Sequence, residues 1–129
     1  MTRATPPVSD PSFWRDKRIL VTGGAGFIGS SVVDALRMRG VSEDHIVIPR
    51  SGDCDLRVRA NCRRAVQGCD IVLHLAAPTG GIAFSRAHPA SQYRDCALID
   101  LHLLDAAREV GVRKIVALGN LLAYPAAAP

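Results

Sequence analysis

The segment Ile19–Ser31, ILVTGGAGFIGSS, determines the fold expected for this 129-residue chain. A short apolar run ends in closely spaced glycines, and an apolar helical pattern follows directly. Gly24, Gly26 and Gly29 satisfy the spacing G-x-G-x-x-G. Gly23, Gly26 and Gly29 satisfy the related spacing G-x-x-G-x-x-G. Such glycines let the backbone approach a pyrophosphate at a helix N-terminus, so the segment predicts a dinucleotide-binding turn. A turn needed only for packing is the alternative.

The rest of the sequence alternates strand and helix patterns. Apolar runs predict four strands, RILVT, HIVIP, DIVLHLAA and KIVALG, which are separated by helical patterns. We expect three helices, of which the longest begins near Pro89 and ends before Gly111. Strands that alternate with helices predict an α/β fold with right-handed crossovers. The expected fold class is an incomplete, doubly wound, Rossmann-type parallel sheet of four strands in the order 3-2-1-4.

Composition is that of a soluble globular protein with one small domain. The residues are 48% hydrophobic and 22% charged, and no apolar run is long enough to span a bilayer. We expect residues 1–17 to form a loose tail, anchored by Phe13 and Trp14, and residues 18–129 to form an NAD(P)-binding Rossmann domain. The N-terminus has no secretory apolar segment, and the four cysteines lack zinc-ligand spacing. We therefore expect a cytoplasmic protein with no metal site.

The net charge of +4 rests on 14 arginines and only two lysines, and four of the arginines lie between residues 57 and 64. Nucleic-acid binding is one interpretation of this arginine cluster. The stretch lacks interleaved aromatic residues and a recognised nucleic-acid motif, so a solvated helix face beside an anionic small molecule is favoured. We expect neither a nucleic-acid nor a membrane partner.

The residues after the second predicted strand bear on the choice of cofactor. An acidic residue at this place binds the ribose 2′-hydroxyl of NAD, whereas arginine accommodates the 2′-phosphate of NADP. The sequence here is IPRSGD, in which Arg50 and Ser51 precede the nearest carboxylate, Asp53. Because guanidinium binds phosphate in a bidentate manner, we expect NADP (NADPH) rather than NAD. Arg50 as an ordinary surface residue is the alternative.

With VTGGAGFIGS at the first strand and HLAA in the third, the sequence resembles the extended short-chain dehydrogenase/reductase family, the NAD(P)-dependent epimerases and dehydratases of nucleotide sugars. IPRSGDCDLR, HLAAPTGGIAFSRAHPA and VALGNLLAYP resemble its GDP-L-fucose synthase branch. The resemblance implies that Gly80, Gly81 and Ile82 lie where nicotinamide and sugar meet. It also implies cofactor contacts in the glycine turn, at the 2′-phosphate, beside adenine and after the third strand: Gly23, Gly26, Phe27, Ile28, Gly29, Arg50, Ser51, Asp55, Leu56, Leu75, Ala76 and Ala77.

Catalysis in the family uses a Tyr and a Lys four residues later (YxxxK) as a general acid–base pair. In this sequence Ala97 follows Tyr93 and Ala128 follows Tyr124 at that distance. The position of the Ser or Thr that assists the Tyr is occupied by Asn120. We therefore assign no catalytic residue, and we expect His74 to pack at its strand end rather than to act in catalysis.

The resemblance implies that the chain is the N-terminal, NADP(H)-binding portion of a nucleotide-sugar oxidoreductase or epimerase. Its substrate in the complete enzyme would be a GDP-sugar. Because the YxxxK segment and the substrate domain are missing, we expect the chain to be inactive by itself, with a C-terminal fragment or a second copy as its partner. A non-catalytic NADP-binding or sensing module is the alternative interpretation.

Overall fold

The computed structural model of the chain describes residues 11–78 and 80–119. Its strands form one parallel sheet in the order β2-β1-β3-β4, with bounds Ile19–Thr22 (β1), Ile46–Val47 (β2), Ile71–His74 (β3) and Lys114–Ala117 (β4). The helices are Pro11–Arg15 (α1), Phe27–Met38 (α2), Arg59–Val66 (α3), Gly81–Ala87 (α4) and Pro89–Val110 (α5). A 3₁₀ turn, Glu43–His45, precedes β2.

The predicted Rossmann-type parallel sheet is confirmed, but the predicted strand order 3-2-1-4 is wrong, because β3 lies beside β1 and not outside β2. β1 is buried along its whole length and pairs with β3 from Ile19–Ile71 to Thr22–His74. β2 has only two residues, and both pair with β1. A third strand placed outside β2 would find a two-residue ladder, whereas the free edge of β1 offers hydrogen bonds along four residues. Buried backbone groups need such partners, so β3 pairs with β1.

The three predicted helices correspond to α2, α3 and α5, and the described residues contain two further helices. α1 lies in the stretch predicted as a tail, and α4 lies between the third predicted strand and the longest predicted helix, where we expected no helix. The predicted bounds of the longest helix are confirmed: α5 begins at Pro89, ends at Val110 and has Gly111 as its C-cap. Residues 1–10, the rest of the predicted tail, lie outside the described residues.

Apolar side chains of the sheet alternate between its two faces, and helices cover both, as expected of a doubly wound fold. On one face, Leu20 and Val72 pack with Val66 of α3 and Leu103 of α5. On the other face, Ile19 and Val21 pack with Val33 and Leu36 of α2. Phe13 and Trp14 are half-buried against this second cluster, which confirms that they anchor the N-terminal segment.

Three of the four arginines between residues 57 and 64 pair with carboxylates, whereas Arg64 donates to the Asp53 carbonyl and the Asn61 side chain. Arg59 contacts both Asp105 and Glu109 of α5 at 2.6 Å, and Arg63 contacts Glu109 at 2.9 Å. These exposed ion pairs connect α3 to α5 above the apolar contact between the two helices. The charges of Arg59 and Arg63 are therefore offset within the domain, although ion pairs of this exposure contribute little stability each.

Two further properties concern residues 11–78 and 80–119 only. No helix there is long and apolar enough to cross a membrane, and no group of three His, Cys, Asp or Glu side chains is placed to hold a metal ion.

Candidate functional site

A cleft of about 850 Å³ opens at the carboxyl ends of β1, β2 and β3. Its walls come from the turn before α2, from the segments that follow β2 and β3, and from one side of α5. Ligands of open α/β sheets bind at this end of the strands. The cleft brings together the twelve residues predicted to contact cofactor: Gly23, Gly26, Phe27, Ile28, Gly29, Arg50, Ser51, Asp55, Leu56, Leu75, Ala76 and Ala77.

Two glycines of the turn lie where a side chain has no room. Gly23 has φ of 69°, and a Cβ on it would lie 2.9 Å from the backbone nitrogen of Ala76. A Cβ on Gly29 would overlap the carbonyl oxygen of Gly23. The turn, the start of α2 and the segment after β3 are therefore in direct backbone contact, which fixes the shape of the cleft floor.

The N-terminus of α2 forms part of the same floor. α2 begins at Phe27 with Gly26 as its N-cap, and no side chain in the described part of the chain caps its first turn. The N–H groups of this turn lack intrahelical partners, and the helix dipole adds a partial positive charge there. Phe27 is 95% exposed, so the cleft is open beside this helix end, and helix N-termini are suited to bind anions.

The two arginines of the cleft differ in their surroundings. Arg57 donates to both carboxylate oxygens of Asp55 at 2.8–3.2 Å, and to Asp95 of α5 at 3.0 Å. These hydrogen bonds from Arg57 hold the pKa of Asp55 below its ordinary value. The guanidinium of Arg50, in contrast, makes no ion pair or hydrogen bond with any residue that the structure describes. Among the described residues, Arg50 is thus the cationic side chain of the cleft that has no anionic partner.

His74 lies at the end of β3 and is 6% exposed. Its Nδ1 is 2.6 Å from Thr22 Oγ1, and its Nε2 is 2.8 Å from Asp100 Oδ1 on α5. Thr22 Oγ1 also accepts hydrogen bonds from the backbone N–H groups of Leu75 and Ala76, each at 3.2 Å. The expected packing role of His74 is therefore confirmed.

The residues predicted to meet nicotinamide and substrate lie elsewhere. Gly80 is the N-cap of α4, Gly81 begins that helix, and Ile82 is 75% exposed. As far as the described residues show, these three do not line the cleft. Tyr93 is 78% exposed on α5. Asn120 and Tyr124 lie outside the described residues.

The cleft also contains residues that the sequence reasoning missed: Ala25, Pro49, Cys54, Arg57, Pro78, Asp95, Ile99 and Leu118. Most of them are next to predicted residues in the sequence, and this adjacency could have indicated that they line the cleft. Asp95 and Ile99 had none, because α5 is brought to the cleft only by the tertiary fold.

The sequence profile of the NAD dependent epimerase/dehydratase family matches residues 19–129. The chain belongs to this family. The match begins at the first residue of β1 and so includes the glycine turn and the whole cleft. The membership confirms the predicted family and its dependence on a nicotinamide dinucleotide.

The chain is also similar to individual proteins of known name. The chain is 31% identical to GDP-mannose 3,5-epimerase 1 of Oryza sativa subsp. japonica over 84% of its length, and 30% identical to GDP-L-fucose synthase of Dictyostelium discoideum over 84%. It covers 32% and 35% of those proteins, so it spans about a third of their length. The structure superposes on a GDP-L-fucose synthetase from Naegleria fowleri bound to NADP with a TM-score of 0.71 and 26% identity, covering 89% of this chain and 34% of that one.

Proposed function

We propose that the cleft binds NADP(H), and that the chain is the cofactor-binding portion of a nucleotide-sugar epimerase or reductase. The observation that carries the cofactor assignment is Arg50. Arg50 lines the cleft and has no carboxylate partner in the described part of the chain, whereas Arg57 is held by Asp55 and Asp95. A 2′-phosphate would supply the missing anion, and Ser51 beside Arg50 offers a hydroxyl donor.

The remaining residues of the cleft fit the other parts of a dinucleotide. The backbone N–H groups at the start of α2 would hold the pyrophosphate, since Gly23 and Gly29 keep side chains away from that place. Leu75, Ala76 and Ala77 would contact the adenosine ribose and pyrophosphate from the opposite wall. Bound NADPH would supply hydride, and this chain would bind and orient it.

The substrate class is supported by the relatives. GDP-mannose 3,5-epimerase and GDP-L-fucose synthase are both named for GDP-sugars, and a related synthetase structure holds NADP. We propose a GDP-sugar as substrate of the complete enzyme, with a GDP-L-fucose synthase-like epimerase-reductase as the narrower assignment. In such an enzyme the proton donor would come from outside these 129 residues, because neither tyrosine of the chain has a lysine four residues later.

A second candidate is a non-catalytic NADP-binding or sensing module. The observation that favours it is the placement of Tyr93, which is exposed on α5 and has Ala97 where the acid–base pair requires Lys. Both candidates have the same cofactor site. They differ in the partner, which either uses the bound cofactor in catalysis or responds to its presence.

The cofactor assignment is tested by titrating the purified chain with NADPH and NADH. A charge-assisted phosphate contact of about 1.5–3 kcal/mol gives NADPH a roughly ten- to hundredfold preference, and Arg50→Ala should remove most of it. Arg39→Ala is the matched control, because Arg39 lies at the end of α2, outside the cleft lining, and its side chain donates to the Ala35 carbonyl. Equal affinities for both nucleotides, unchanged by Arg50→Ala, would contradict the assignment.

A further inference from the structure

Two of the four cysteines lie at the ends of one short segment, residues 54–62. Cys54 Sγ lies 3.7 Å from the carbonyl oxygen of Asn61, which directly precedes Cys62. Cys62 Sγ donates to the carbonyl oxygen of Leu56, two residues after Cys54, at 3.0 Å. Each thiol therefore contacts the backbone at the other end of the segment, and the segment folds back on itself through its own cysteines.

These contacts bring the two cysteines close together. The Asn61 carbonyl oxygen and the Cys62 nitrogen belong to one peptide unit and are about 2.3 Å apart, so Cys54 Sγ lies within about 6 Å of the Cys62 nitrogen. Cys62 belongs to the apolar cluster that α3 and α5 form with the sheet, and Cys54 packs against the same cluster. The two thiols are therefore neighbours in the fold as well as in the sequence.

The two thiols differ in their access to solvent. Cys54 is half-buried and lines the cleft at the carboxyl ends of the strands. Cys62 is fully buried, and this burial raises the pKa of its thiol, to which nearby Cys54 adds a smaller contribution. The thiolate is the reactive form of cysteine, so the buried and protonated Cys62 is protected from direct attack. Cys54 is the thiol of the pair that a small oxidant meets first.

We propose that Cys54 and Cys62 form a redox-active pair, in which a peroxide oxidises Cys54 from the cleft and Cys62 then closes a disulfide with it. An accessible cysteine beside a second, resolving cysteine is the arrangement that makes thiol oxidation reversible. The pair is a modification site of its own, and its chemistry does not depend on which cofactor the cleft binds.

The reaction balances with a peroxide as the oxidant. The Cys54 sulfur attacks one peroxide oxygen, so that an S–O bond forms as the O–O bond breaks, and the other oxygen leaves as water with the thiol proton. The Cys62 sulfur then attacks the Cys54 sulfur, and the hydroxyl group leaves as a second water with the proton of Cys62. Two thiols and one hydrogen peroxide give one disulfide and two water molecules.

Closure of the disulfide would alter the cleft wall. The S–S bond is only about 2.05 Å long, so both thiols must give up their contacts with the backbone. The Leu56 carbonyl then loses its thiol donor, and Leu56 lines the cleft. The Cys54 N–H donates to the Arg50 carbonyl at 2.7 Å, so a shift of Cys54 also acts on Arg50. Oxidation should therefore weaken the binding of a ligand that uses this wall.

Peptide mapping tests the pair on the unmodified chain. Trypsin places the four cysteines in four different peptides, which are residues 51–57, 60–63, 65–86 and 95–108. The folded chain is treated with hydrogen peroxide, free thiols are blocked with iodoacetamide, and the digest is analysed by mass spectrometry. We expect a cross-link between the first two peptides that dithiothreitol removes, and a fall from four free thiols to two. A digest without this cross-link would overturn the proposal.

Serine variants separate the two roles. In Cys62→Ser, Cys54 should stop at the sulfenic acid, which dimedone traps. In Cys54→Ser, the Cys62 thiol should remain free after the same treatment. Cys96→Ser is the matched control, because Cys96 is also half-buried but is not among the described residues that line the cleft, so its cross-link should form as in the unmodified chain. Oxidation of Cys62 in Cys54→Ser, in a protein shown by circular dichroism to be folded, would contradict the proposed order of reaction.

Protection by a ligand tests the approach from the cleft, and this arm alone rests on the proposed cofactor. NADP⁺ is used because it is not a reductant. At about ten times its dissociation constant it should slow formation of the cross-link roughly tenfold, because only the unoccupied fraction of the chain leaves Cys54 open to peroxide. If titration shows no binding of NADP⁺, the cofactor assignment fails, and the cross-link still decides the pair. Bound NADP⁺ with an unchanged rate would refute attack from the cleft.

Discussion

Thr22 Oγ1 lies 2.6 Å from His74 Nδ1 at the carboxyl ends of the paired strands β1 and β3. The Thr22 oxygen accepts the N–H groups of Leu75 and Ala76, so its own proton is free to be donated to Nδ1. Nδ1 is therefore the ring nitrogen that accepts a hydrogen bond. Nε2 carries the hydrogen and donates it in the hydrogen bond to Asp100 Oδ1. One hydroxyl thus organises the backbone of two cleft residues and the tautomer of a buried histidine.

Removal of that hydroxyl should destabilise the domain. Thr22→Val keeps the buried shape but leaves His74 Nδ1 and the Ala76 N–H without their partner, and we expect a loss of about 2–4 kcal/mol in the free energy of unfolding. Thr22→Ser is the control, because it retains the hydroxyl and loses only a buried methyl group, worth about 1 kcal/mol. Urea denaturation of the three proteins measures the difference. Equal stability of the two variants would show that the hydrogen bonds contribute nothing.

The glycines of the turn should fall into two classes. Gly29→Ala should prevent normal folding, because its Cβ would overlap the Gly23 carbonyl oxygen. Gly26→Val should preserve the fold, since a Cβ there meets only that same oxygen at 3.2 Å, but it should abolish NADPH binding by blocking the approach of pyrophosphate. Gly52→Ala, with nothing within 4 Å of its Cβ, serves as the neutral control. Circular dichroism reports folding, and NADPH titration reports binding. Normal binding by a folded Gly26→Val protein would mean that the turn serves packing alone.

Local signals made the glycine turn and α5 predictable. A buried strand followed by glycines at this spacing is compatible with few other local structures. Pro89 and Gly111 mark the ends of a helix by their own backbone preferences. The strand order could not be read in this way, because it depends on which edge of β1 offers the longer ladder. The Arg57–Asp95 pair likewise joins positions 38 residues apart, and no sequence period connects them. Sequence therefore predicted the cleft residues that share a motif and missed those that α5 contributes.

Alkaline pH should destabilise the fold through Cys62. This thiol is fully buried between α3 and the core, and burial raises its pKa to about 11 from the model-compound value of 9.0. The unfolded chain loses the proton first, so the stabilising contribution is complete below pH 9 and is lost as the pH rises to about 11. Two pKa units correspond to about 2–3 kcal/mol.

Cys62→Ala isolates this effect. The difference in unfolding free energy between the unmodified chain and the variant should stay constant up to about pH 9 and shrink from there to about pH 11, as measured by denaturation at fixed ionic strength. Half-buried Cys54 should react with iodoacetamide before Cys62 in the folded protein. A constant difference across this range, or equal alkylation of both thiols, would contradict a buried, protonated Cys62.

The purified 129-residue chain should bind cofactor without turning over substrate. Reduction of a 4-keto sugar leaves an alkoxide that needs a positioned proton donor, and the sequence contains no Tyr followed by Lys at the fourth residue. Loss of general acid–base assistance alone typically costs about 10²–10⁴-fold in rate, and loss of substrate orientation adds to it. Asn120 cannot take the role, because an amide does not release a proton near neutral pH.

NADPH absorbance with GDP-4-keto-6-deoxy-mannose should therefore fall no faster than in a protein-free control. Partial activity should return only when a separate C-terminal fragment carrying the Tyr–Lys pair is added. Turnover by this chain alone would require another acid, and Tyr124→Phe would be the first variant to measure.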